Sequence, residues 1–146
     1  MTYLRGAHLD HSYMRGTNLY SAALSSASLE CADLENTDLR WVHLKKARVL
    51  GAKFSGANVC AAHFEEAIGL APYQIQQALH WQRAFYANDM LRVLNLPGDH
   101  NERLLREIDA SYKLNAGCWS EAPLPPLRSL VENPINTRDR RQSRDN

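Results

Sequence analysis

Large apolar residues recur at every fifth position through the first 64 residues of this 146-residue chain. The thirteen positions are Leu4, Leu9, Met14, Leu19, Leu24, Leu29, Leu34, Leu39, Leu44, Val49, Phe54, Val59 and Phe64. The residue two places before each of them is Ala, Ser or Thr, with the single exception of Val42. In a chain that is 45% hydrophobic, chance would give such a run about three times in a hundred thousand. The period of five is therefore a structural signal.

This period fits no single regular element. An α-helix repeats its faces at about 3.6 residues per turn, and a β-strand alternates its side chains with a period of about two. A period of five instead indicates a solenoid, in which each short repeat packs only against its neighbours.

Individual copies carry a recognisable pattern. Ala32-Asp33-Leu34-Glu35-Asn36, Thr37-Asp38-Leu39-Arg40-Trp41 and Ala57-Asn58-Val59-Cys60-Ala61 follow A(D/N)LXX, so the stretch resembles the pentapeptide repeat family. The resemblance implies a mainly β fold, a right-handed quadrilateral β-helix in which four repeats form one square coil. It implies about three coils here. The residues that follow the repeats predict a C-terminal α-helical cap and a flexible tail.

Four repeats per coil place each residue above the residue twenty positions later, about 4.8 Å away. We therefore expect four core columns, one of which stacks Leu4, Leu24, Leu44 and Phe64. The glycines at positions 6, 16, 51 and 56 fall at the corners, where a positive φ is useful. Because the register starts at once with Thr2 and Leu4, the N-terminal edge of the coil is expected to be uncovered. An uncovered edge predicts a homodimer formed through this N-terminal edge.

The register ends after Ala67, and helical patterns follow. The first helix is predicted to begin at Pro72 and to place Ile75, Ala78, Leu79 and Gln82 on one side, extended by Trp81 and Phe85. A second short helix is expected to end before Pro97, and a third carries Leu104, Leu105 and Ile108. These elements divide the chain into a β-helix over 1–69, a helical cap over 70–116 and a Pro-rich, charged tail over 117–146, which is expected to be mobile.

The charge balance restricts the partners. The net charge is +1, and residues 1–69 carry seven basic and seven acidic side chains, so no basic field predicts a nucleic-acid partner. No apolar segment is long enough to span a membrane, and no leader precedes the repeats, so we expect no membrane association. The three cysteines are odd in number, and Cys31 and Cys60 fall on different predicted columns, so no disulfide framework is indicated. The predicted location is cytoplasmic.

The sequence offers no pattern for catalysis. The phosphate-binding and dinucleotide-binding glycine motifs, HExxH and GxSxG are all absent from the sequence. His43 and His63 share a predicted column, but no Cys or carboxylate in that column completes a metal site. We therefore expect no catalytic, cofactor-binding or metal site, and a protein that is not an enzyme.

Two functional classes remain. The first is a protein–protein interaction scaffold with an unknown protein partner, which depends on the solenoid alone. The alternative is a DNA-mimic binder of a type II topoisomerase, an activity known for some members of the family. Such mimicry requires a strongly negative surface in place of phosphates, and the neutral repeats do not favour it. In the tail, Pro123 to Arg128 resembles a PxxPx(K/R) ligand, with a plain extended linker as the other interpretation.

One outward surface stands out for its composition. Tyr20 and Arg40 lie in one predicted column and Trp41 in the adjacent one, so the three side chains should form a contiguous patch. Tyr, Trp and Arg dominate interface hot spots, which makes this patch the candidate partner-binding surface. The alternative is that the tail or a cap helix covers Trp41 within the same chain.

Overall fold

The computed structural model describes residues 2–113 of the chain. The chain divides into two compact units, Met1–Asp109 and Ala110–Asn146, and the repeats belong to the first. The predicted tail over 117–146, its Pro-rich motif and the last three residues of the predicted cap lie outside the described residues.

Each pentapeptide ends in a tight turn. At the first corner, the Ala7 N–H donates to the Leu4 carbonyl at 3.0 Å, and Gly6 between them has a φ of +67°. A hydrogen bond between the first and fourth residues, with positive φ at the third, is the geometry of a type II turn. The same positive φ recurs at every fifth residue as far as Glu66 (+61°). The predicted corner position of the glycines is confirmed.

Successive coils pair in parallel with a spacing of twenty residues. One series of bridges joins Tyr3 to Ala23, Ala23 to His43, and His43 to His63. In the first bridge, Leu4 N–H donates to the Ala23 carbonyl and Ala23 N–H donates to the Thr2 carbonyl, both at 2.8 Å. The coil of four repeats is thereby confirmed. Within residues 2–113 the pairing consists of these isolated bridges and not of continuous strands.

The interior of the coil is filled by the repeat centres. Leu24 and Leu44 are completely buried, and Phe54 meets Phe64 edge to face with ring centroids 5.7 Å apart. The small residues two places earlier are also buried from the second coil onward, and Val42 is accommodated with no exposed surface. In the first coil, Leu4, Leu9 and Met14 are only partly buried. The centres of the first coil are therefore less buried than those of the coils below it.

The predicted first helix is mostly wrong. Helix α1 comprises only Pro72–Ile75, and the chain then returns to the coil, with a 3₁₀ turn at Trp81–Arg83. Leu79 bridges to Asn58, and Phe85 bridges to His63. The helical spacing of apolar residues did not prevail, because pairing with the open edge of the third and fourth coils satisfies the same backbone groups and also buries Ala78 and Tyr86.

Two further helices follow, as predicted. Helix α2 spans Asn88–Val93 and ends before Pro97. Helix α3 spans His100–Lys113. The buried faces of these helices carry Leu91 on α2 and Leu104 and Ile108 on α3.

Three side chains close the lower edge of the coil, below which residues 2–113 form no further coil. The buried Gln74 amide donates from Nε2 to the carbonyls of Ala52 and Val49, at 2.8 and 3.1 Å. Asn101 accepts from the Tyr86 N–H at 3.2 Å and donates to the Tyr86 carbonyl at 2.7 Å, as a neighbouring strand would. The His100 Nε2 lies 3.0 Å from the Ala84 carbonyl, so this nitrogen carries the donated proton. Backbone N–H and C=O groups at this edge that would otherwise lack a partner are thus hydrogen-bonded.

Candidate interaction surface

The predicted columns bring Tyr20, Arg40 and Trp41 together at one corner of the coil. The Ser21 N–H donates to the Arg40 carbonyl at 2.9 Å, and the Trp41 N–H donates to the Cys60 carbonyl at 3.1 Å. These bonds stack the corner turns of three successive coils. We call the surface formed by Tyr20, Arg40 and Trp41 the aromatic corner.

Arg40 is held in place from two sides. Its Nε and Nη2 donate to the two carboxylate oxygens of Asp38, at 2.8 and 2.7 Å. Its guanidinium carbon lies over the Tyr20 ring, 5.4 Å from the centroid. The hydrogen bonds from Arg40 lower the pKa of Asp38, although partial burial opposes the shift. A bidentate, ring-stacked arginine of this kind is fixed in geometry before any partner arrives.

Exposure decreases down the aromatic corner. Tyr20 is 44% exposed, Arg40 and Trp41 are half-buried, and Cys60 and Ala61 in the coil below are buried. Trp41 sits at the turn position with a φ of +60°, so its backbone direction is set by the corner. The aromatic corner therefore exposes Tyr20 most, and Arg40 and Trp41 only in part.

A second tyrosine–arginine pair lies on another face. The Arg15 guanidinium carbon is 5.9 Å from the Tyr13 ring centroid, and Arg15 pairs with Glu35 at 2.6 Å and with Asp33 at 3.3 Å. Tyr13 is 77% exposed. This pair provides an internal comparison for the aromatic corner.

The histidine column is an aromatic stack. The rings of His43 and His63 are nearly parallel with centroids 5.0 Å apart, and Phe85 stacks on His63 at 4.4 Å. The Nδ1 of His63 is 3.1 Å from a carboxylate oxygen of Glu65. Among the residues that the structure describes, no group of three or more His, Cys, Asp or Glu side chains is arranged to hold a metal ion.

Sequence reasoning missed the residues that close the lower edge, Gln74, His100 and Asn101. An isolated Gln, Asn or His carries no periodic signal, so the sequence alone does not indicate these positions. The return of the chain to the coil does have a sequence signal at Ala84-Phe85-Tyr86, where a small residue precedes a large ring by two places, as in the repeats. This segment is shifted by two residues from the repeat register. The twenty-residue spacing would place residue 84 below Phe64, but Tyr86 lies there, with its ring centroid 5.9 Å from that of Phe64.

The family model for pentapeptide repeats matches eight copies over residues 2–40 and 29–59. Residues 2–59 belong to the pentapeptide repeat family. No curated protein sequence matches the chain. The predicted resemblance of these repeats is therefore confirmed by the family match.

Solved structures similar to the chain are themselves pentapeptide repeat proteins. One from the thylakoid lumen of Arabidopsis thaliana is 26% identical, covering 51% of this chain and 58% of that one, with a TM-score of 0.24. HetL of Nostoc sp. strain PCC 7120, involved in heterocyst differentiation regulation, is 28% identical over 44% of this chain and 34% of its own, with a TM-score of 0.21. Rfr23 of Cyanothece 51142 is 21% identical over 58% and 63% of the two chains, with a TM-score of 0.26. The chain thus spans less than two thirds of each of these structures.

Within residues 2–113, none of the helices has the length and apolar character needed to cross a bilayer.

Proposed function

We propose that the protein is a non-enzymatic interaction scaffold, and that its pentapeptide repeats bind a protein partner through the aromatic corner. The fixed geometry of Arg40 carries the proposal. Ordering a long side chain on binding costs about 0.5–1.5 kcal/mol, and Arg40 has already paid this cost through Asp38 and Tyr20. We also propose that the coil winds in the right-handed sense, as the family resemblance implies.

The interior of the repeats supports a structural role over a catalytic one. The centres Leu24, Leu44 and Phe64 are buried and fill their column from coil to coil. A core occupied by apolar side chains offers no concave polar pocket there for a substrate. The cytoplasmic location predicted from the sequence stays a prediction.

The binding test compares three full-length baits in affinity capture from the source cell: wild type, Trp41→Ala and Tyr13→Ala. Tyr13 is a matched control because it also carries an arginine over its ring. We expect Trp41→Ala to lose a protein that wild type and Tyr13→Ala both retain, and purified components should then show at least about tenfold weaker binding, as for a hot-spot residue. Equal capture by all three baits would contradict the proposal.

A separate experiment tests whether the C-terminal tail of the same chain covers Trp41. In a protein with Trp81→Phe and Trp119→Phe, Trp41 is the only tryptophan left. We expect its emission to be the same in the full chain and after truncation behind residue 117. A red shift on truncation would assign Trp41 to intramolecular packing and remove it from the proposed surface.

The surface charge does not favour the DNA-mimic alternative. Glu30 pairs with Arg48, Glu66 pairs with Lys45 at 3.2 Å, and Asp38 pairs with Arg40. Carboxylates neutralised within the chain do not reproduce a row of phosphates. We expect no inhibition in a supercoiling assay with a purified type II topoisomerase.

A further inference from the structure

The closure of the lower edge is one-sided where Gln74 reaches the coil. The side-chain Nε2 of Gln74 donates to the carbonyls of Ala52 and Val49. Its Oε1 is engaged by the Ala71 N–H at 2.8 Å. Gln74 therefore satisfies carbonyl groups of this edge, while its acceptor atom serves its own segment and no N–H group of the coil.

Two backbone N–H groups consequently point down from this part of the edge without an acceptor. In the coil above, the same two positions are Cys31 and Leu34, and their N–H groups donate to carbonyls of the next coil at 2.9 and 3.0 Å. One coil lower the positions are Gly51 and Phe54, and neither N–H has an acceptor among residues 2–113. Because the N–H groups of a folded chain are nearly always paired, these two are available to a ligand.

A third N–H group is left free by the residue before the repeat centre. The side chain of Asp33 accepts from the Glu35 N–H at 3.1 Å. One coil lower, Lys53 occupies the position of Asp33, and a lysine ammonium has no acceptor atom. The Ser55 N–H accordingly has no acceptor in the part of the chain that the structure describes.

The three N–H groups belong to residues that line one cleft, which we call the lower cleft. It has a volume of about 200 Å³ and is lined by Glu35, residues 51–55, Tyr73, Gln74 and Gln77. No ion pair within residues 2–113 involves Lys53, whereas the carboxylate of Glu35 pairs with Arg15 at 2.6 Å. The lower cleft thus combines N–H donors with one positive charge that no described carboxylate neutralises.

We propose that the lower cleft binds a carboxylate group, carried by a small organic acid or by the C-terminus of a peptide. An ionised carboxylate accepts hydrogen bonds and donates none, which suits a site of N–H donors. Its single charge matches that of Lys53 more closely than a phosphate ester, which carries about −1.5 to −2 near pH 7. Backbone N–H groups capture terminal carboxylates in other peptide-binding sites.

The size and the wall of the lower cleft restrict the rest of the ligand. Its volume of about 200 Å³ is below the range of about 300–1,000 Å³ that holds drug-sized molecules, so the occupant is a small acid or a chain terminus. The ring of Tyr73, which is 65% exposed, offers an apolar surface beside the donors. A short carbon skeleton attached to the carboxylate would pack against this ring.

Amide resonances of the isotope-labelled full chain provide the first test. The probes are benzoate and an acetylated dialanine with a free C-terminus, and the controls are benzamide and the same peptide with an amidated C-terminus. We expect at least one acid to shift the amide protons of Gly51, Phe54 and Ser55 in a saturable manner, and neither amide to do so. A response to benzoate assigns the carboxylate to small acids, and a response to the peptide alone assigns it to chain termini. The proposal is overturned if neither acid gives a saturable shift, if sodium chloride at equal ionic strength gives the same one, or if inorganic phosphate binds more tightly.

A substitution of Lys53 tests the site without weakening the fold. Lys53→Asn removes the charge and places a side-chain oxygen where it can accept from the Ser55 N–H, as Asp33 does for Glu35. This variant should be at least as stable as the wild type, and its dissociation constant for the acid should be at least about tenfold higher. The control is Lys46→Gln, an exposed lysine that pairs with Glu66, which should leave the affinity unchanged. Unaltered affinity of Lys53→Asn, or equal weakening by Lys46→Gln, would refute the assignment.

Discussion

Asn or Asp before the repeat centre acts as a local clamp on the turn. The side-chain oxygen of Asn18 accepts from the Tyr20 N–H at 2.9 Å, and Asp38 does the same for Arg40 at 3.2 Å. These are Asx turns, which short amide and carboxylate side chains form readily. Ser12 and Thr17 replace Ala two places before a centre, and their hydroxyls donate to the carbonyl of the preceding centre, as Thr17 does to Met14 at 2.8 Å. The hydroxyl of Thr37 instead donates to the Met14 carbonyl at 3.2 Å, in the coil above. The sequence pattern thus records hydrogen bonds as well as volume.

Backbone strain at the corners gives the first prediction. Ser26 has a φ of +60° and an exposed side chain. A left-handed conformation costs a non-glycine residue about 1–2 kcal/mol, and part of the relief is offset because glycine loses more backbone entropy on folding. Ser26→Gly should therefore raise the free energy of unfolding by about 0.5–1 kcal/mol, as measured by urea denaturation.

The matched control reverses the change at an equivalent corner. Gly16 has a φ of +70°, and a Cβ there would meet no heavy atom within 4 Å. Gly16→Ala should lower the free energy of unfolding by about 1 kcal/mol through strain alone. A destabilised Ser26→Gly protein alongside an unaffected Gly16→Ala protein would refute this account of the corners.

Among the elements, α1 and α3 matter less for their length than for the side chains that they insert at the lower edge. Helix α1 has only four residues, yet Gln74 on it makes three hydrogen bonds. Its Oε1 accepts from the Ala71 N–H at 2.8 Å, and its Nε2 reaches the carbonyls of Ala52 and Val49. Side-chain amides here substitute for the N–H and C=O groups of a missing coil.

Removal of this amide gives the second prediction. Gln74→Ala leaves the buried carbonyl of Ala52 without its donor, and a buried unsatisfied group costs about 1–3 kcal/mol. We expect a loss of that size in urea denaturation. Gln76→Ala, at an exposed position one residue beyond α1, should change stability by no more than about 0.5 kcal/mol. Equal effects of the two substitutions would show that Gln74 does not close the edge.

At the scale of the whole molecule, the stack of His43, His63 and Phe85 runs down one face from the third coil into the segment before α2. Burial lowers the pKa of His43, and His63 and Arg5 lower it further, while Glu65 opposes them. The folded state therefore favours the neutral ring. Stability from this residue is complete above the ordinary pKa of about 6.5 and is lost as the pH falls through the lower folded-state value.

The third prediction follows from the lowered pKa of His43. The melting temperature of the wild type should fall between about pH 7.5 and about pH 5.5, and His43→Gln should make the fall smaller. His11→Gln, at an exposed corner, is the control and should leave the fall unchanged. A wild-type melting temperature that rises with acidification over this range would contradict the assignment.

The repeat architecture was determined by the sequence alone, because every centre and corner depends only on residues five or twenty positions away. Such a fold repeats one local rule, so the stacking of Leu24, Leu44 and Phe64 follows from the sequence. The adjacency of Tyr20, Arg40 and Trp41 followed from the same rule. Helices α2 and α3 were also predictable, since proline and apolar spacing mark their limits.

The tertiary structure alone decided what happens after residue 69. Residues 77–86 have helical spacing, but the open coil edge offers unpaired backbone groups that a helix would leave unsatisfied, and the chain pairs with them. The roles of Gln74, His100 and Asn101 arise in the same way, since each depends on a carbonyl or N–H from a distant part of the chain. The hydrogen bonds of Arg40 to Asp38 and its stacking on the Tyr20 ring likewise depend on side-chain geometry. A periodic rule places residues in columns, but it does not say which side chains hold each other there.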